Sequence, residues 1–470
     1  MSPKIAIIGA GPAGCMLARL LHLGGIDAVV YEGEAGPNYR SQGGTLDLHT
    51  ATGLAAVKDA GLWDEFLKHA RYDGEYMLVC DKHLNSFFSK GSEPTSEKDM
   101  MGQRPEIDRS ALRQMLAESL PAGMIRWDAH VKSVSNKADA ASSKGDAAAT
   151  AASTAASTTT ATIVFADGST ATGFDLVVGA DGAWSKVRAA LSDQQPLFSG
   201  MALQELHIPD AATTAPELTK LVHRGSIFVQ AEGRKAAIQQ MGDGSLYVGI
   251  CTRRSDTPNV PLVGADGQTR SDNWPETCGY DARDLASVKE AMLTRPELLA
   301  DFDPRLQQCV TLAAGTTTPR SLYLLPVGFR WTHQPGLTAI GDAAHLMTPF
   351  AGEGVNVALD DARKLAAAII SAAHANTDAE VATPCSPQLD AAVLSFENDM
   401  FVRSARVAKL TDDLLKAWFY TPGAPESVVA SVMSTHVRFH TPTLVAPLAS
   451  AAVHAYYFLY KKCLKKEVKV

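Results

Sequence analysis

The chain has 470 residues, 46% hydrophobic and 20% charged, and its 43 basic and 51 acidic residues leave a net charge of −8. That length exceeds what one hydrophobic core usually serves, so two lobes sharing a seam are expected, and the ordinary composition excludes a largely disordered or collagen-like chain. No basic domain is available to grip phosphate backbones, so nucleic acid is not an expected partner.

Residues 4–8 (KIAII) form the short apolar run of a buried parallel strand. Gly9, Gly11 and Gly14 follow at G-x-G-x-x-G spacing, then an apolar helix from Cys15 to Leu23. A second strand follows from Ala28 to Tyr31, and Glu32 stands 18 positions after Gly14. Strand, glycine turn, helix and acid together predict dinucleotide binding. Gly9 allows the tight turn, Gly11 the approach of a pyrophosphate, and Gly14 close helix–strand contact. Glu32 is placed to accept from a ribose hydroxyl.

Ile125 to Val134 and Ile163 to Phe165 read as two strands of a hairpin, with Asp167-Gly168 as a turn beyond them. Residues 138–162 between these strands are Ala, Ser or Thr at 21 of 25 positions and read as a low-complexity surface insertion. From Pro196 to Cys309 the helix–strand alternation fades, and Ser245 to Cys251 suggests a half-buried antiparallel strand. Leu337 to Ile340 returns to a buried strand ending at Gly341-Asp342. Long helices are expected at Val355 to Ala372 and Leu389 to Trp418.

Thr441 to Tyr460 carries no formal charge and is followed by Lys461, Lys462, Lys465 and Lys466. Its length suits a membrane span, but Pro442, Pro447, Ser450 and His454 dilute the apolarity, so a helix packed on the body is expected instead. The seven cysteines (Cys15, Cys80, Cys251, Cys278, Cys309, Cys385, Cys463) are never spaced C-x2-C. That excludes the commonest zinc signatures and any redox pair in a short motif, and it makes a reducing, cytoplasmic setting the default. No metal and no secretory leader are expected.

Two further motifs sharpen the nucleotide reading: residues 175–188 (DLVVGADGAWSKVR) and 337–356 (LTAIGDAAHLMTPFAGEGVN). In the second, Asp342 can accept from a ribityl or ribose hydroxyl, while Gly352 and Gly354 let backbone approach a flat ring. The following helix points its positive end at that site. G-x-G-x-x-G, Asp-Gly and Gly-Asp in this order resemble the class A flavin-dependent aromatic hydroxylases over residues 4 to 375. Within that family, residues 43–49 (GGTLDLH), 104–113 (RPEIDRSALR) and 341–356 are most similar to the tetracycline-inactivating monooxygenases.

The resemblance implies an α/β fold: a Rossmann-like FAD-binding domain, a β-sheet substrate domain and a long C-terminal helix. FAD-binding segments are expected at 1–77, 101–192 and 316–376, substrate-domain segments at 78–100 and 193–315, and a helical region at 385–470. It places Gly9, Gly11, Gly14, Glu32, Gly44, Asp47, Arg113, Asp181, Asp342, Pro349, Gly352, Gly354, Val355 and Asn356 at the cofactor. Gln204, Tyr247 and Phe350 fall on the substrate side. Tyr247 stands where the family carries a substrate-facing histidine, and Ser226 is nearest the position of its substrate arginine. Tyr247 either polarises a substrate hydroxyl or packs, and Arg113 either meets the flavin phosphate or ribityl or is solvated. His345 is a structural hydrogen-bonder or a proton shuttle, and Trp418 and Phe419 close the cavity or simply pack.

The implied reaction is hydroxylation of an electron-rich polycyclic substrate through a C4a-hydroperoxyflavin, with O2 as co-substrate. NADPH or NADH serves as a transient reductant, because no second nucleotide fingerprint is present. No side chain is assigned as catalytic acid or base. Tetracyclines lead as substrate. A secondary-metabolism polyketide or aromatic hydroxylase or epoxidase, and a ligand-sequestering flavoprotein, are the alternatives. A monomer is expected.

Overall fold

Ile5 to Ile8 are buried because Lys4–Ile8 becomes the central strand of a five-stranded parallel sheet. Leu176–Gly179 and then Leu337–Ala339 lie on one side, Asp27–Tyr31 and then Ile125–Arg126 on the other. The computed structural model describes residues 2–37, 43–91, 104–135, 161–261, 274–375, 387–442 and 444–460. Nearly all of the low-complexity insertion, Cys385, Cys463 and the terminal lysines lie outside the described residues. Helix Pro12–Leu23 packs along helix Gly354–Ala375, so the first and last nucleotide motifs share one core.

The stretch from Ile125 to Val134 is two strands and not the single one expected. Ile125–Arg126 extends the parallel sheet beside Tyr31, and only Val131–Ser135 pairs antiparallel with Ala161–Phe165. The break comes at Asp128, whose φ of 57° is left-handed and whose N–H donates to the Glu34 carbonyl at 2.8 Å. A residue in that region cannot continue an extended ladder.

An eight-stranded sheet forms the second layer, in the order Val260–Pro261, Leu197–Ile208, Leu246–Arg253, Arg234–Gln240, Ser226–Ala231, Met77–Asp81 and Ser86–Lys90. The eighth strand, Thr318–Leu324, pairs along Leu197–Ile208. It therefore belongs to the large sheet and not to the nucleotide segment that the sequence analysis began at 316. Period-two alternation sends Leu206, Ile208, Ile227, Val229, Ile238, Val248 and Ile250 under helices Pro216–Val222, Leu285–Thr294 and Pro304–Thr311. Met201, Leu203, Phe228 and Cys251 face the other way, against the C-terminal helices. Covered on both faces, strand Leu246–Arg253 is mostly buried and not the half-buried strand expected.

Helix Pro387–Tyr420 spans both layers. Leu389, Val393, Phe396 and Met400, at helical spacing, enter the core of the parallel sheet. Leu410, Leu414, Leu415, Trp418 and Phe419 continue the same stripe onto the large sheet. Trp418 and Phe419 are both buried in this stripe. Helices Val429–His440 and Ala446–Leu459 follow. Among the described residues no helix is long and apolar enough to cross a membrane.

Candidate functional site

The three glycines of the opening turn do different work. A Cβ on Gly9, whose φ is +103°, would lie 2.4 Å from the Ala180 carbonyl oxygen, and one on Gly14 would lie 2.0 Å from that of Gly9. These two serve contact between chain segments. A Cβ on Gly11 would meet nothing within 4 Å. Gly11 therefore fronts open space at the start of helix Pro12–Leu23, where unpaired N–H groups and the positive dipole favour a phosphate.

The Glu32 carboxylate accepts from Ala10 N at 2.6 Å and Glu34 N at 3.0 Å. Arg113 donates from Nε to the Ala10 carbonyl at 3.1 Å, pairs with Glu34 at 2.9 Å and lies 3.6 Å from Glu32. Arg113 is thus tied into the turn and is not a solvated helix arginine. Glu32 keeps acceptor capacity for a hydroxyl, since a carboxylate offers about four lone-pair sites.

Asp181 accepts from Lys186 N at 2.6 Å and braces its own turn, with burial raising its carboxyl pKa. Arg188, also from the middle motif, is buried and donates to the Ala343 carbonyl at 2.9 Å, clamping the Asp-Gly motif to the Gly-Asp motif. Asp342 reaches solvent-sized space, yet the surrounding protein raises its carboxyl pKa against the opposing charges of His345, Arg109 and Arg188. Gly341 beside it packs between Ala13 and Ala358, and Gly11 and Gly354 front open space, so Asp342 stands at an open recess by the two helix starts. His345 bonds Asp361 from a buried position.

Asn356, fully buried, joins two loops that are some 310 residues apart in sequence. Its Nδ2 donates to the Asp47 carbonyl at 2.9 Å, and its Oδ1 accepts from His49 N at 2.8 Å. A Cβ on Gly352 would lie 3.5 Å from Asp47 Oδ1, whereas one on Gly354 would meet nothing within 4 Å. Pro349 is exposed and Val355 partly buried on either side of this turn. The His49 ring bridges Asp47 (3.0 Å) and Glu353 (3.3 Å), and His440 lies 3.8 Å from Glu353. Burial works against a charge on His49, but the bonds to Asp47 and Glu353 prevail and push it up to about 9.

The large sheet closes the recess. A Cβ on Gly44 would lie 2.0 Å from Gln239 Oε1 and 2.9 Å from Tyr247 Cδ1, so glycine lets this loop rest on the sheet. Tyr247 donates its hydroxyl to Glu205 at 3.0 Å, while Arg320 holds the other Glu205 oxygen. Burial and the Glu205 charge raise the Tyr247 phenol and keep it protonated. The Phe350 and Phe419 rings pack tilted at 45°, with centroids 4.7 Å apart. Lys235 holds its ammonium 4.5 Å from the Phe228 ring centroid and 5.5 Å from that of Phe350. No carboxylate among the described residues pairs with it, and burial lowers its pKa. His436, desolvated and near His440, Arg104 and Lys235, is pushed down to about 4.

Gln204 does not face the recess. It points to the helix-covered face, opposite to Tyr247, and its amide donates to the Ala282 carbonyl at 2.9 Å and Thr317 Oγ1 at 2.6 Å. Its neighbour Glu205 faces the recess instead, because successive strand residues alternate sides. Lys235, Glu205, His436 and His440 were not singled out in the sequence, where the facing side of a strand or of a distant helix leaves no signal. A groove of about 530 Å3 between Gly354–Ala375 and Pro387–Tyr420 contains none of these residues.

The family described as FAD binding domain matches residues 3–281 and 330–382. The chain is 32% identical over 429 residues to monooxygenase penA of Penicillium thymicola, covering 87% of this chain and 93% of that protein. It is 29% identical over 447 residues to monooxygenase asqM of Emericella nidulans, covering 87% and 94%. Among solved structures, tetracycline destructase Tet(51) superposes with a TM-score of 0.59 at 16% identity, over 93% of this chain and 97% of that one, a likeness of fold.

Proposed function

Since the chain belongs to the FAD binding domain family and, within it, to the class A FAD-dependent monooxygenases, we propose that it hydroxylates an electron-rich, fused-ring phenol or enol with NADPH or NADH as transient reductant. One observation carries this reading: the Asn356-fastened loops at Gly44–Asp47 and Pro349–Asn356 rest against a large-sheet wall bearing Tyr247, Phe228 and Lys235. FAD, when bound, supplies the redox chemistry and the activation of O2.

The chain's own residues do the rest. Gly11 and the start of helix Pro12–Leu23 receive the pyrophosphate, Glu32 the ribose, and Asp342 a hydroxyl of the ribityl chain. Asn356 holds Asp47 and the Gly352–Gly354 turn at the ring, and helix Gly354–Ala375 directs its positive end there. The rings of Phe228, Phe350 and Phe419 exclude water from the reacting face. Tyr247 stays protonated with its proton held by Glu205, which leaves its hydroxyl oxygen to accept from a substrate hydroxyl. The Lys235 ammonium favours the deprotonated, more nucleophilic form of a phenol or enol.

Tetracyclines remain the first probe, as fused-ring enols. The relatives of higher identity are monooxygenases whose names specify no substrate, which keeps a secondary-metabolism aromatic or polyketide hydroxylase or epoxidase in the panel. The test is NADPH and NADH consumption by the FAD-loaded protein, with and without a tetracycline and a set of fused-ring phenols, followed by mass analysis. Stimulated oxidation and a product heavier by one oxygen atom support the reading. Ligand binding without stimulated oxidation would favour a sequestering flavoprotein, and a protein that cannot be reconstituted with FAD would refute it.

A further inference from the structure

Helix Ala446–Leu459 is held to the body by one side only. Tyr457 donates its hydroxyl to the Phe87 carbonyl at 2.9 Å, Tyr460 bonds the Ser86 carbonyl, and Ser450 meets Ser434 on helix Val429–His440. The other side is exposed and apolar. Leu444 is 93% exposed, Leu448 75%, Phe458 60% and Leu459 55%, with Val445 and Tyr456 beside them. No formally charged residue interrupts this surface between Thr441 and Tyr460. Soluble proteins rarely leave so continuous an apolar face uncovered without an interaction to match.

The sequence that follows names the partner's charge. Lys461, Lys462, Lys465 and Lys466 come directly after the helix in a chain whose net charge is −8. We propose that helix Ala446–Leu459 lies in the interface of an anionic lipid bilayer, with its apolar face at the headgroup–acyl boundary, the positive charge of the sequence that follows being complementary to acidic headgroups. At 14 residues it is too short to span. Tyr456 and Phe458 supply the aromatic character that such interfaces favour. A second copy of this chain fits less well, because face-to-face pairing would bring two lysine-rich sequences of like charge together. The adjoining helix Val429–His440 carries His440 toward Glu353, so the docked surface stands one helix from the recess. This inference is independent of the proposed reaction.

The test is co-sedimentation of the full, FAD-loaded chain with vesicles of phosphatidylcholine alone and of phosphatidylcholine with about 30% phosphatidylserine, at about 0.1 M and 0.5 M salt. Binding to the serine-containing vesicles should exceed binding to the neutral ones and should fall at high salt. Leu448→Glu with Phe458→Glu should abolish it while flavin content stays at the wild-type level, since both side chains are exposed. Replacing the four lysines with serine should weaken binding by about fivefold per lysine. No binding to either vesicle overturns the proposal. A dimer by light scattering that the same two glutamates dissolve, without vesicle binding, overturns it in favour of a second copy.

Discussion

Gly11→Ala separates the ligand's demand from the protein's. Gly11 has φ −74° and ψ 177°, open to any residue, and an added methyl meets no protein atom within 4 Å. At this N-cap position alanine loses a few tenths of a kcal/mol to about 1 kcal/mol, and the stiffer unfolded chain returns about 0.4–1 kcal/mol. The stability of the FAD-free protein should therefore move by no more than about 0.5 kcal/mol. The bound pyrophosphate, however, must retreat from the methyl and lose one good charge-assisted hydrogen bond, about 1.5–3 kcal/mol. That corresponds to about tenfold to hundredfold in Kd. Gly14→Ala is the contrast: its methyl would sit 2.0 Å from the Gly9 carbonyl oxygen, so helix and strand must part. Overpacking of this kind costs about 1–3 kcal/mol in the FAD-free protein itself. Titrating each FAD-free variant with FAD by fluorescence quenching, alongside its thermal melt, checks both. Wild-type FAD affinity in Gly11→Ala would refute the assignment of that open space to the pyrophosphate.

Asn356→Ala removes the bonds that fasten the Asp47–His49 loop to helix Gly354–Ala375, taking a partner from the Asp47 carbonyl and from the His49 N–H. FAD affinity should fall by at least about tenfold, read by the same titration; an unchanged affinity would show that the loops hold without it. His49 has its pKa raised in the fold, so its contribution is full below about 6.5 and is lost as pH rises through about 9. The melting temperature of His49→Gln should therefore lie below wild type near pH 6 and converge with it above pH 9; a constant offset would refute the charged bridge. Lys235→Met removes a desolvated, unpaired cation, so the melting temperature should hold or rise. Stimulation of NAD(P)H oxidation by fused-ring phenols should drop by about tenfold or more, and undiminished stimulation would remove Lys235 from the substrate wall.

The sequence made the nucleotide half legible because its signals are local. Gly9, Gly11, Gly14 and Glu32 lie within one strand–helix–strand unit, and Asp342 and Asn356 within one strand–turn–helix. The large-sheet wall was much less legible. Gln204 and Glu205 are adjacent, and only the pairing register with Leu246–Arg253 decides which of them faces the recess. Lys235 looks like an ordinary strand lysine until Phe350, more than a hundred residues later, is placed above it. Asp is a residue type that enters the left-handed region more readily than most, yet nothing next to Asp128 in sequence marks the turn that divides Ile125–Val134, since its partner, the Glu34 carbonyl, lies far away in the chain.

Helix Pro387–Tyr420 has a mechanical consequence. It lies outside the residues that match the family, which end at 382, and at about 1.5 Å per residue its 34 residues make a rigid strut roughly 50 Å long. One end is seated in the core under the nucleotide sheet and the other on the substrate wall. A hinge opening of the two layers would have to pull one of those seats apart. Traffic of flavin, reductant and substrate that left both seats in place would have to use displacements smaller than such an opening.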